Sequence, residues 1–393
     1  MEGMPLPPLV EPGSELTKAE VARYSRHLIL PEFGVLGQRR LKNARVLVIG
    51  AGGLGSPTLL YLAAAGVGTL GIVDFDTVEE SNLQRQIIHG CSDVGRPKAQ
   101  SARDAIAELN PLVTVRLHEV RLEPENALEL FEQYDLIVDG TDNFATRYLV
   151  NDAAVLTHKP YVWGSIYRFE GQVSVFWEDA PDGPDGERRG INYRDLFPEP
   201  PPPGLVPSCA EGGVLGVLCA AIASVMSTEA IKLITATGDP LLGRVLLYDA
   251  LAMNYRTIGI RKDPAAPAIV ELADYEQLCG GSGPDIGSGI TPQALRDLLD
   301  AEAGIVLIDV REPAEWQINR IDGAHLIPLS AIASGAGLDQ LPADRVPVLY
   351  CKSGIRSAEA LAVLHRAGFA NALHLEGGIL AWAEQFEPDM AMY

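Results

Sequence analysis

The sequence predicts an α/β protein with two separate sheets, and three features support this fold class. An apolar, β-rich run leads into a glycine turn and a helix-forming stretch in the segment RVLVIGAGGLG, Arg45 to Gly55. Strand-like and helix-like stretches then alternate as far as about Val175, which favours a sheet that is parallel in its first half. A second alternating pattern begins near Ile290, after a Pro- and Gly-rich stretch.

The composition limits the class of protein. The chain has 393 residues, enough for two or three domains, and is 47% hydrophobic and 21% charged. Its net charge of −21 argues against general binding to nucleic acids or anionic membranes, because such binding needs clustered Lys and Arg. The five cysteines form no closely spaced pairs, which favours free thiols in a reducing, cytoplasmic compartment.

Taken in order, the chain begins with a Pro- and Gly-rich stretch, residues 1–14, that we predict to be disordered. We expect no signal peptide, because this stretch has neither a basic start nor a long apolar core. A helix is predicted from Glu20 to Leu30, and it carries Arg26. The apolar stretch from Val214 to Met226 is too short to span a bilayer. We therefore predict a buried helix from Val214 to Ile234.

Composition shifts predict the domain boundaries. Residues 15–262 are expected to form a first domain and residues 290–393 a second, smaller α/β domain. Residues 263–289 contain DPAAPA and CGGSGPDIGSG and are predicted to be a flexible linker. A long Pro- and Gly-rich loop, residues 178–207, interrupts the first domain and is expected to be functional or disordered.

The glycine turn after the first strand predicts a nucleotide-binding site. Glycines let the backbone approach a phosphate, and the N–H groups at the start of the following helix point toward the anion. A second strand ends at Asp74, whose carboxylate can bond a ribose hydroxyl. The candidate residues of the turn are Gly50, Gly52, Gly53, Leu54 and Gly55.

Charged residues beyond Asp74 favour a triphosphate over a dinucleotide. Arg85 and Lys98 can neutralise the charge that moves onto a leaving pyrophosphate, or they can lie on a solvated loop. Acids at the carboxyl end of a parallel strand lie beside the nucleotide, so Asp142 is a candidate Mg²⁺ ligand. Asp142 or Asn143 can instead cap the next helix. The further candidates for nucleotide binding are Asp76, Asn82 and Gln86.

A cysteine loop in the second domain predicts a site for a thiolate or a persulfide. A predicted strand ends at Cys351, and Arg356 closes this persulfide loop, Cys351–Arg356, where a helix begins. Backbone N–H groups of such a loop converge on the outer sulfur. Phosphatases of similar design have five residues between Cys and Arg, and the tighter ring here suits one sulfur atom. The four intervening residues are Lys352, Ser353, Gly354 and Ile355.

The first domain resembles the adenylation domain of the ubiquitin-activating superfamily, in particular bacterial members that activate molybdopterin-synthase and thiamine sulfur carriers. Five motifs carry the resemblance: GAGGLG, DFD from Asp74, SNLQRQ, GRPK and DGTDNFATR. It implies a Rossmann-like domain with a mixed sheet that uses ATP and Mg²⁺ to adenylate the C-terminal glycine of a small ubiquitin-like carrier protein. It also implies a homodimer in which Arg26 reaches the partner subunit's ATP. By motif match, Asp74 holds the ribose, Asn82, Arg85, Gln86 and Lys98 contact phosphates, and Asp142 binds Mg²⁺.

The cysteines of the first domain differ from the pattern of that family. Its close relatives hold a structural zinc with two Cys-x-x-Cys pairs, but Ile191–Asp195 and Asp263–Pro267 contain no cysteine, so we predict no zinc. Cys209 falls where the family has a cysteine before a helix. It is predicted either to form a transient acyl or disulfide link to the carrier or to be a buried cysteine. Cys219 is expected to lie in the core.

The second domain resembles a small α/β rhodanese domain from about Ile290 to Glu387. The matches are DVRE from Asp309, GAHLIP and the terminal GGI. The resemblance implies a structural or loop-supporting role, and no chemistry, for Asp309 and Arg311. The two resemblances together imply a sulfurtransferase for a carrier that ends in Gly-Gly. ATP would form a carrier adenylate, a Cys351 persulfide would attack it, and reductive release would give a thiocarboxylate. The catalytic candidates are Cys351, Arg356, Cys209, Arg26 and Arg85.

The resemblance also limits the pathway and leaves two other functions open. Chains with this domain order resemble actinobacterial and eukaryotic enzymes that serve molybdopterin synthesis and, in some lineages, cysteine synthesis or tRNA thiolation. Thiosulfate or a cysteine desulfurase is the expected sulfur donor.

One alternative is an NAD(P)-dependent oxidoreductase with a fused sulfur-binding domain, which binding of NADH but not ATP would favour. The other is a scaffold that docks the carrier without catalysis, which complex formation without ATP–pyrophosphate exchange would favour.

Overall fold

The computed structural model describes residues 6–183, 186, 189–200, 213–278, 288–301, 303–342 and 345–393. These residues form two compact units, whose described parts run from residue 6 to 278 and from 288 to 393. The predicted α/β class is confirmed, with a mixed sheet in the first unit and a small parallel sheet in the second. Cys209 and Cys279 lie outside the described residues.

The first unit is built on an eight-stranded sheet. Its strands are β1 (Arg45–Ile49), β2 (Thr69–Val73), β3 (Thr114–His118), β4 (Leu136–Asp139), β5 (Tyr161–Tyr167), β6 (Glu170–Phe176), β7 (Arg244–Asp249) and β8 (Asn254–Gly259). The order is β3-β2-β1-β4-β5-β6-β7-β8, and the pairs from β3 to β5 are parallel whereas those from β5 to β8 are antiparallel. Helical crossovers return the chain to one edge and so produce the parallel half.

Helices pack against this sheet and against one another. They are α1 (Lys18–Arg23), α2 (Ser25–Leu28), α3 (Gly34–Asn43), α4 (Gly55–Ala65), α5 (Lys98–Leu109), α6 (Pro124–Glu132), α7 (Phe144–Leu156), α8 (Gly216–Thr235) and α9 (Tyr275–Leu278), with 3₁₀ turns at Glu80–Asn82, Cys91–Asp93 and Tyr193–Asp195. The prediction of one helix from Glu20 to Leu30 is wrong, because the chain breaks at Tyr24 between α1 and α2. The Tyr24 side chain is buried and its hydroxyl accepts a hydrogen bond from Asn110 (2.9 Å), which fixes the break.

Helix α8 is a long, apolar helix of the first unit. Among the described residues it is the one helix long and apolar enough to cross a membrane by length and composition, and 56% of that apolar window is buried inside the protein. Leu218, Ile222 and Met226 are buried in the core, where α8 packs against α4 and β5. The predicted buried helix is therefore present as a core helix of this unit.

The prediction that residues 1–14 are disordered is wrong for residues 6–14, the part that the structure describes. Leu6 is buried in the main core of the first unit. The backbone N–H of Leu9 donates to the carbonyl of Leu233 (3.2 Å). A Pro-rich composition favours disorder only where no apolar anchor is available, and here apolar contacts and backbone hydrogen bonds hold the segment.

The linker is predicted to cover residues 263–289, but the first unit continues beyond the predicted start of that linker. Tyr275 is only 4% exposed, and its hydroxyl donates to Asp152 (2.9 Å) while α9 packs against α7. Residues 263–278 therefore belong to the first unit, because one buried aromatic side chain outweighs a Pro- and Ala-rich composition. Residues 279–287 lie outside the described residues.

The two stretches that lack the zinc-binding cysteines lie side by side in the first unit. The backbone N–H of Asp263 donates to Asp195 Oδ1 (3.3 Å), and Lys262 Nζ lies 3.3 Å from Asp195 Oδ2. Lys262 also pairs with Glu178. Hydrogen bonds and ion pairs therefore connect these two stretches, in which the zinc-binding cysteines of the family are missing.

The second unit is a five-stranded parallel sheet with helices around it. Its strands are β9 (Gly289–Ile290), β10 (Ile305–Asp309), β11 (His325–Leu326), β12 (Val346–Tyr350) and β13 (Leu373–Leu375). Its helices are α10 (Pro292–Asp300), α11 (Pro313–Ile318), α12 (Leu329–Ala333), α13 (Ile355–Arg366) and α14 (Gly378–Phe386), with a 3₁₀ turn at Leu338–Gln340. The order β11-β10-β12-β13-β9 makes β12 central, so the persulfide loop starts at the carboxyl end of the middle strand.

Candidate nucleotide and sulfur-transfer sites

A cavity of about 480 Å³ opens at the carboxyl ends of β1, β2 and β4 in the first unit. Ligands of open parallel sheets bind at this edge, where the chain switches direction. Every residue predicted to bind the nucleotide, except Gly55, lines the cavity. These residues are Gly50, Gly52, Gly53, Leu54, Asp74, Asp76, Asn82, Arg85, Gln86, Lys98, Asp142 and Asn143.

The glycine turn is held in shape by Asp74. Gly50 has a φ of +88°, and the next N–H, that of Ala51, donates to Asp74 Oδ2 (2.7 Å). The N–H of Asp76 donates to Asp74 Oδ1 (2.9 Å). Burial raises the pKa of Asp74, and these two backbone bonds and nearby Lys98 oppose that rise. Each carboxylate oxygen retains acceptor capacity toward the cavity, which a ribose hydroxyl can use.

Gly55 has a structural role in the turn, and it does not line the cavity. A Cβ at this position would lie 1.8 Å from the carbonyl oxygen of Gly50, which excludes any side chain. The close approach brings the first turn of α4 against the end of β1. Gly55 therefore meets a packing requirement of the turn, and its contact with the nucleotide stays a prediction.

Two cations of the cavity differ in their surroundings. Lys98 is buried, and its Nζ lies 3.0 Å from Oδ2 of Asp76, whose side chain is half exposed. Arg85 lies against Gly53 and donates to the carbonyl of Ser81 (3.0 Å). Positive charge thus lines the wall beside the glycine turn, where a polyphosphate would be neutralised.

The side chain of Gln86 also lines the cavity. Its buried Oε1 has no hydrogen-bond partner among the described residues. Buried acceptors of this kind are usually satisfied by water or by a ligand. Gln86 therefore fits a nucleotide that presents a donor, such as a ribose hydroxyl or an amino group.

The loop after β4 presents Asp142 to the cavity. Asp139 Oδ1 accepts from the N–H (2.9 Å) and the hydroxyl (2.7 Å) of Thr141, and burial raises the pKa of Asp139. The Asn143 side chain caps α7 by accepting from the N–H of Thr146 (2.8 Å), as one of the two interpretations of the sequence predicts. Asp142 is exposed at the cavity and makes no cap.

The carboxylate of Asp142 fits a magnesium ion held together with phosphate. No group of three or more His, Cys, Asp or Glu side chains suited to a metal occurs among the described residues. Mg²⁺ is usually bound by one or two carboxylates, substrate phosphates and water, so such a group is not required. Asp142 remains the predicted ligand.

Arg147 is a cavity cation that our sequence analysis missed. It is buried, donates to the carbonyl of Thr141 (3.2 Å) and lies 5.3 Å from the ring of Phe144. The available signal was its place at the end of DGTDNFATR, one helical turn after the capping residue. Arg26, by contrast, is exposed on α2 and is not among the residues that line this cavity.

His89 is a second residue that the sequence analysis missed. It is buried, with Nε2 3.2 Å from the carbonyl of Ala51 and Nδ1 2.8 Å from the hydroxyl of Ser101. Burial lowers the pKa of His89, and Lys98 lowers it further, whereas the hydrogen bond to the Ala51 carbonyl and the charge of Asp93 oppose this shift. The neutral ring therefore donates from Nε2 to Ala51, so Asp74 and His89 hold the N–H and the carbonyl of the same residue.

We expect His89 to make the stability of the first unit depend on pH. Unfolded His89 binds a proton near its ordinary pKa of 6.5, whereas folded His89 resists it, so the free energy of unfolding falls as the pH drops below that value. One such group gives a slope of at most about 1.4 kcal/mol per pH unit. Urea unfolding of wild type and His89→Gln between about pH 5 and 7 measures it.

The glutamine variant isolates the contribution of this one ring. Its amide can still donate to Ala51 but cannot titrate, so the slope below pH 6.5 should become shallower than in the wild type. His118 also has a pKa lowered by burial, and it contributes equally to both proteins. If the free energy of unfolding has the same dependence on pH in both proteins, protonation of His89 does not destabilise the folded state.

In the second unit, the persulfide loop is formed around Cys351. Its Sγ accepts a hydrogen bond from the N–H of Gly354 (3.1 Å), and the residue is fully buried. Gly354 has a φ of +95°, which turns the chain into α13. The N–H of Ile379 donates to the Cys351 carbonyl (2.8 Å), so the start of α14 also fixes the loop.

Gly378 explains why the GGI sequence accompanies the loop. It has a φ of +60°, and a Cβ here would lie 2.5 Å from the carbonyl oxygens of both Cys351 and Lys352. A side chain would push α14 away from the loop. The glycine therefore permits the backbone of α14 to approach the residue that carries the sulfur.

Two buried ion pairs support the persulfide loop. Arg356 is bound by Glu315 through two hydrogen bonds of 2.7 and 2.8 Å. Asp309 and Arg311 form a second, fully buried pair at 2.6 Å. Glu315 was missed in the sequence because it lies 41 residues before its partner.

The comparisons with known proteins agree with the division of the chain into two units. A family model described as the ThiF family matches residues 24–268, and one described as a rhodanese-like domain matches residues 291–385. The chain is 71% identical over 393 residues, 99% of each chain, to a probable adenylyltransferase/sulfurtransferase MoeZ of Mycobacterium tuberculosis. It is 40% identical to adenylyltransferase and sulfurtransferase MOCS3 of Drosophila ananassae, covering 97% of this chain and 87% of that protein.

Other relatives match the first unit. A sulfur carrier protein adenylyltransferase of Thermus thermophilus is 54% identical over 270 residues, 67% of this chain and 98% of that protein. The crystal structure of Escherichia coli MccB has a TM-score of 0.56 at 20% identity, over 66% of this chain and 74% of that one, and shows the shared fold. The chain belongs to the ThiF family, carries a C-terminal rhodanese-like domain and is an adenylyltransferase and sulfurtransferase.

Proposed function

We propose that this enzyme adenylates the C-terminal glycine of a small ubiquitin-like sulfur carrier and converts it to a thiocarboxylate. One observation carries the proposal: a single chain holds a cavity lined by a glycine turn, cations and carboxylates, and a separate cysteine whose Sγ accepts a hydrogen bond from the backbone N–H of Gly354. The first can turn a carboxylate into an electrophile, and the second can supply sulfur as a nucleophile. The relatives named for both activities support the same pairing.

In the first step, the carrier carboxylate attacks the α-phosphorus of ATP. An acyl-phosphate bond forms, the bond to the β-phosphate breaks, and pyrophosphate leaves with the electron pair. Asp74 binds the ribose, and Lys98 and Arg85 stabilise the charge that develops on pyrophosphate. Asp142 would hold Mg²⁺, which supplies further neutralisation of the phosphates.

Arg26 belongs to this step in a homodimer. It is a cation on the exposed surface of α2 and lines no part of the cavity in its own subunit. Large apolar side chains near it, Ile29, Leu30, Val35 and Leu36, are 49–69% exposed. Such a patch favours burial against a second subunit, which would bring Arg26 to the partner subunit's nucleotide.

In the second step, the outer sulfur of a Cys351 persulfide attacks the acyl carbon of the adenylate. A carbon–sulfur bond forms, the bond to AMP breaks, and the carrier becomes linked to Cys351 by a disulfide. A thiolate then attacks the Cys351 sulfur, and the carrier thiocarboxylate leaves with the electron pair. Cys209, outside the described residues, is the predicted thiol, and an external thiol must then reduce the disulfide between the two cysteines.

The remaining expectations belong to the same proposal. The rhodanese domain covers residues 290–393, and the segment between the two units brings Cys351 to the acyl adenylate. The sulfur donor is thiosulfate or a cysteine desulfurase, the carrier is of the molybdopterin-synthase small-subunit type, and the enzyme acts in the cytoplasm. The free thiols Cys91 and Cys351 are consistent with a reducing compartment.

Intact mass measurement of the carrier tests this function. The protein is mixed with ATP, Mg²⁺, thiosulfate and a carrier that ends in Gly-Gly, and the carrier is expected to gain the mass difference between sulfur and oxygen. A parallel reaction without ATP should leave the carrier unchanged. Carrier that binds the enzyme but forms neither adenylate nor thiocarboxylate would support the scaffold function instead.

A further inference from the structure

The hydroxyl of Tyr393 connects the two buried ion pairs beneath the persulfide loop. It lies 2.6 Å from Oε1 of Glu315 and 2.9 Å from Nη1 of Arg311. Because a guanidinium cannot accept a hydrogen bond, the hydroxyl accepts from Arg311 and donates to Glu315. Tyr393 therefore joins the Asp309–Arg311 pair to the Glu315–Arg356 pair.

The segment that carries Tyr393 is anchored at a second point. Asn319 Nδ2 donates to the carbonyl of Ala391 (2.5 Å), and Asn319 Oδ1 accepts from Arg311 Nη1 (2.8 Å). The same buried arginine thus organises both attachments of residues 389–393. This network gives the Tyr393 side chain one defined position.

Glu315 uses its whole carboxylate in this network. Oε1 accepts from Arg356 and Tyr393, and Oε2 accepts from Arg356 and from the N–H of Glu312 (2.9 Å). Burial opposes ionisation of Glu315, but the bonds from Arg356 and Tyr393 outweigh it and lower its pKa. An ionised carboxylate held from several sides fixes the guanidinium of Arg356 in one orientation.

The ring of Tyr393 contacts the other cation of the persulfide loop. Lys352, the residue directly after Cys351, places Nζ 4.6 Å from the centre of the ring. A cation at this distance from an aromatic face is attracted by the ring quadrupole. Tyr393 thus contacts Lys352 directly and Arg356 through Glu315.

We infer that Tyr393 is a positioning residue of the persulfide loop, which holds Lys352 and Arg356 where they attract a small anionic sulfur donor toward Cys351. The inference rests on the proposed function of Cys351 as the residue that carries sulfur. With thiosulfate, the Cys351 thiolate attacks the outer sulfur, the sulfur–sulfur bond breaks, and sulfite leaves with the electron pair. Two fixed cations favour approach of the dianion over approach of neutral molecules.

The test compares two alkylating reagents of nearly equal size, of which one is anionic and the other neutral. Iodoacetate is an anion and iodoacetamide is neutral, and both must reach the same buried thiol. The ratio of their rates at Cys351, followed by mass spectrometry of the Cys351 peptide, therefore reports the local charge and not access. The measurement needs no sulfur transfer, so it is independent of the overall activity.

We expect Tyr393→Phe to lower the iodoacetate-to-iodoacetamide ratio about threefold and Tyr393→Ala about tenfold, because one removes the hydroxyl and the other also removes the ring. Trp382→Phe is the matched control. It removes the indole hydrogen bond to Glu387 (2.9 Å), just before the same segment, and should lower the unfolding midpoint without changing the ratio. The rate of sulfur loading from thiosulfate should fall in parallel with the ratio.

A double-mutant cycle with Lys352→Gln tests the route through the lysine. If Tyr393 acts by holding Lys352, the effect of Tyr393→Ala on the ratio becomes smaller once the lysine is removed. An unchanged ratio in both Tyr393 variants, with loading at the wild-type rate, would overturn the inference and leave the proposed function intact. Wild-type Cys351 that takes up sulfur from no donor would overturn the proposed function, and this inference with it.

Discussion

The Cys351→Ala variant is expected to lose carrier thiocarboxylate formation by about a thousandfold or more, while ATP–pyrophosphate exchange stays within about twofold of wild type. The reason is that Cys351 belongs to the second unit, whereas the residues that line the nucleotide cavity, among those that the structure describes, all belong to the first. Removing the thiol removes the sulfur nucleophile and leaves the adenylating groups in place. Exchange of labelled pyrophosphate into ATP and the intact mass of the carrier measure the two steps separately.

Cys91→Ala provides the control for loss of a cysteine. Cys91 is an exposed free thiol in a 3₁₀ turn of the first unit, so its removal should change neither measurement. Thiocarboxylate formed at the wild-type rate by Cys351→Ala would show that sulfur reaches the adenylate from another group. Loss of pyrophosphate exchange in the same variant would show that the two activities depend on each other.

The Asp142→Asn variant is expected to reduce ATP–pyrophosphate exchange about a hundredfold to a thousandfold. Asp142 presents an exposed carboxylate to the cavity, whereas Asn143 beside it is used as a helix cap. An amide in place of the carboxylate keeps the shape of the loop but removes the charge that a magnesium ion needs. The concentration of Mg²⁺ required for half-maximal exchange should rise together with the loss of rate.

Asp135→Asn is the matched control for this charge change. Asp135 directly precedes β4, at the end of the strand opposite Asp142, and pairs with Arg45 (2.7 Å). The same substitution at this position should cost little stability and leave exchange unchanged, because the pair is partly exposed. Equal losses in the two variants would contradict the assignment of Asp142 and indicate a general effect of charge.

Features that depend on neighbouring residues could be predicted from the sequence. The glycine turn, Asp74 and Asp142 each follow a strand within a few residues, so the sheet topology alone brings them to one edge. The persulfide loop is also local, since strand, loop and helix are consecutive in the chain. For these parts, the residue types and their order determine the geometry.

Features that depend on distant partners could not be predicted. Glu315 and Tyr393 are separated by 78 residues, and no spacing rule links a tyrosine to a carboxylate so far away. His89 is an isolated histidine in a sequence, and only the fold shows that its ring meets the backbone of Ala51. Composition also misled us at Leu6, where one buried side chain decides whether a Pro-rich segment is ordered.

The contact between Tyr275 and Asp152 determines where the two activities can be separated by cutting the chain. Asp152 also accepts two hydrogen bonds from Arg194, so its carboxylate lies at the centre of a buried polar cluster. A fragment that ends at residue 262 would expose this cluster to water and lose α9, whereas one that ends at residue 278 keeps the cluster covered. A limited digest that spares the adenylating activity should therefore cut beyond residue 278.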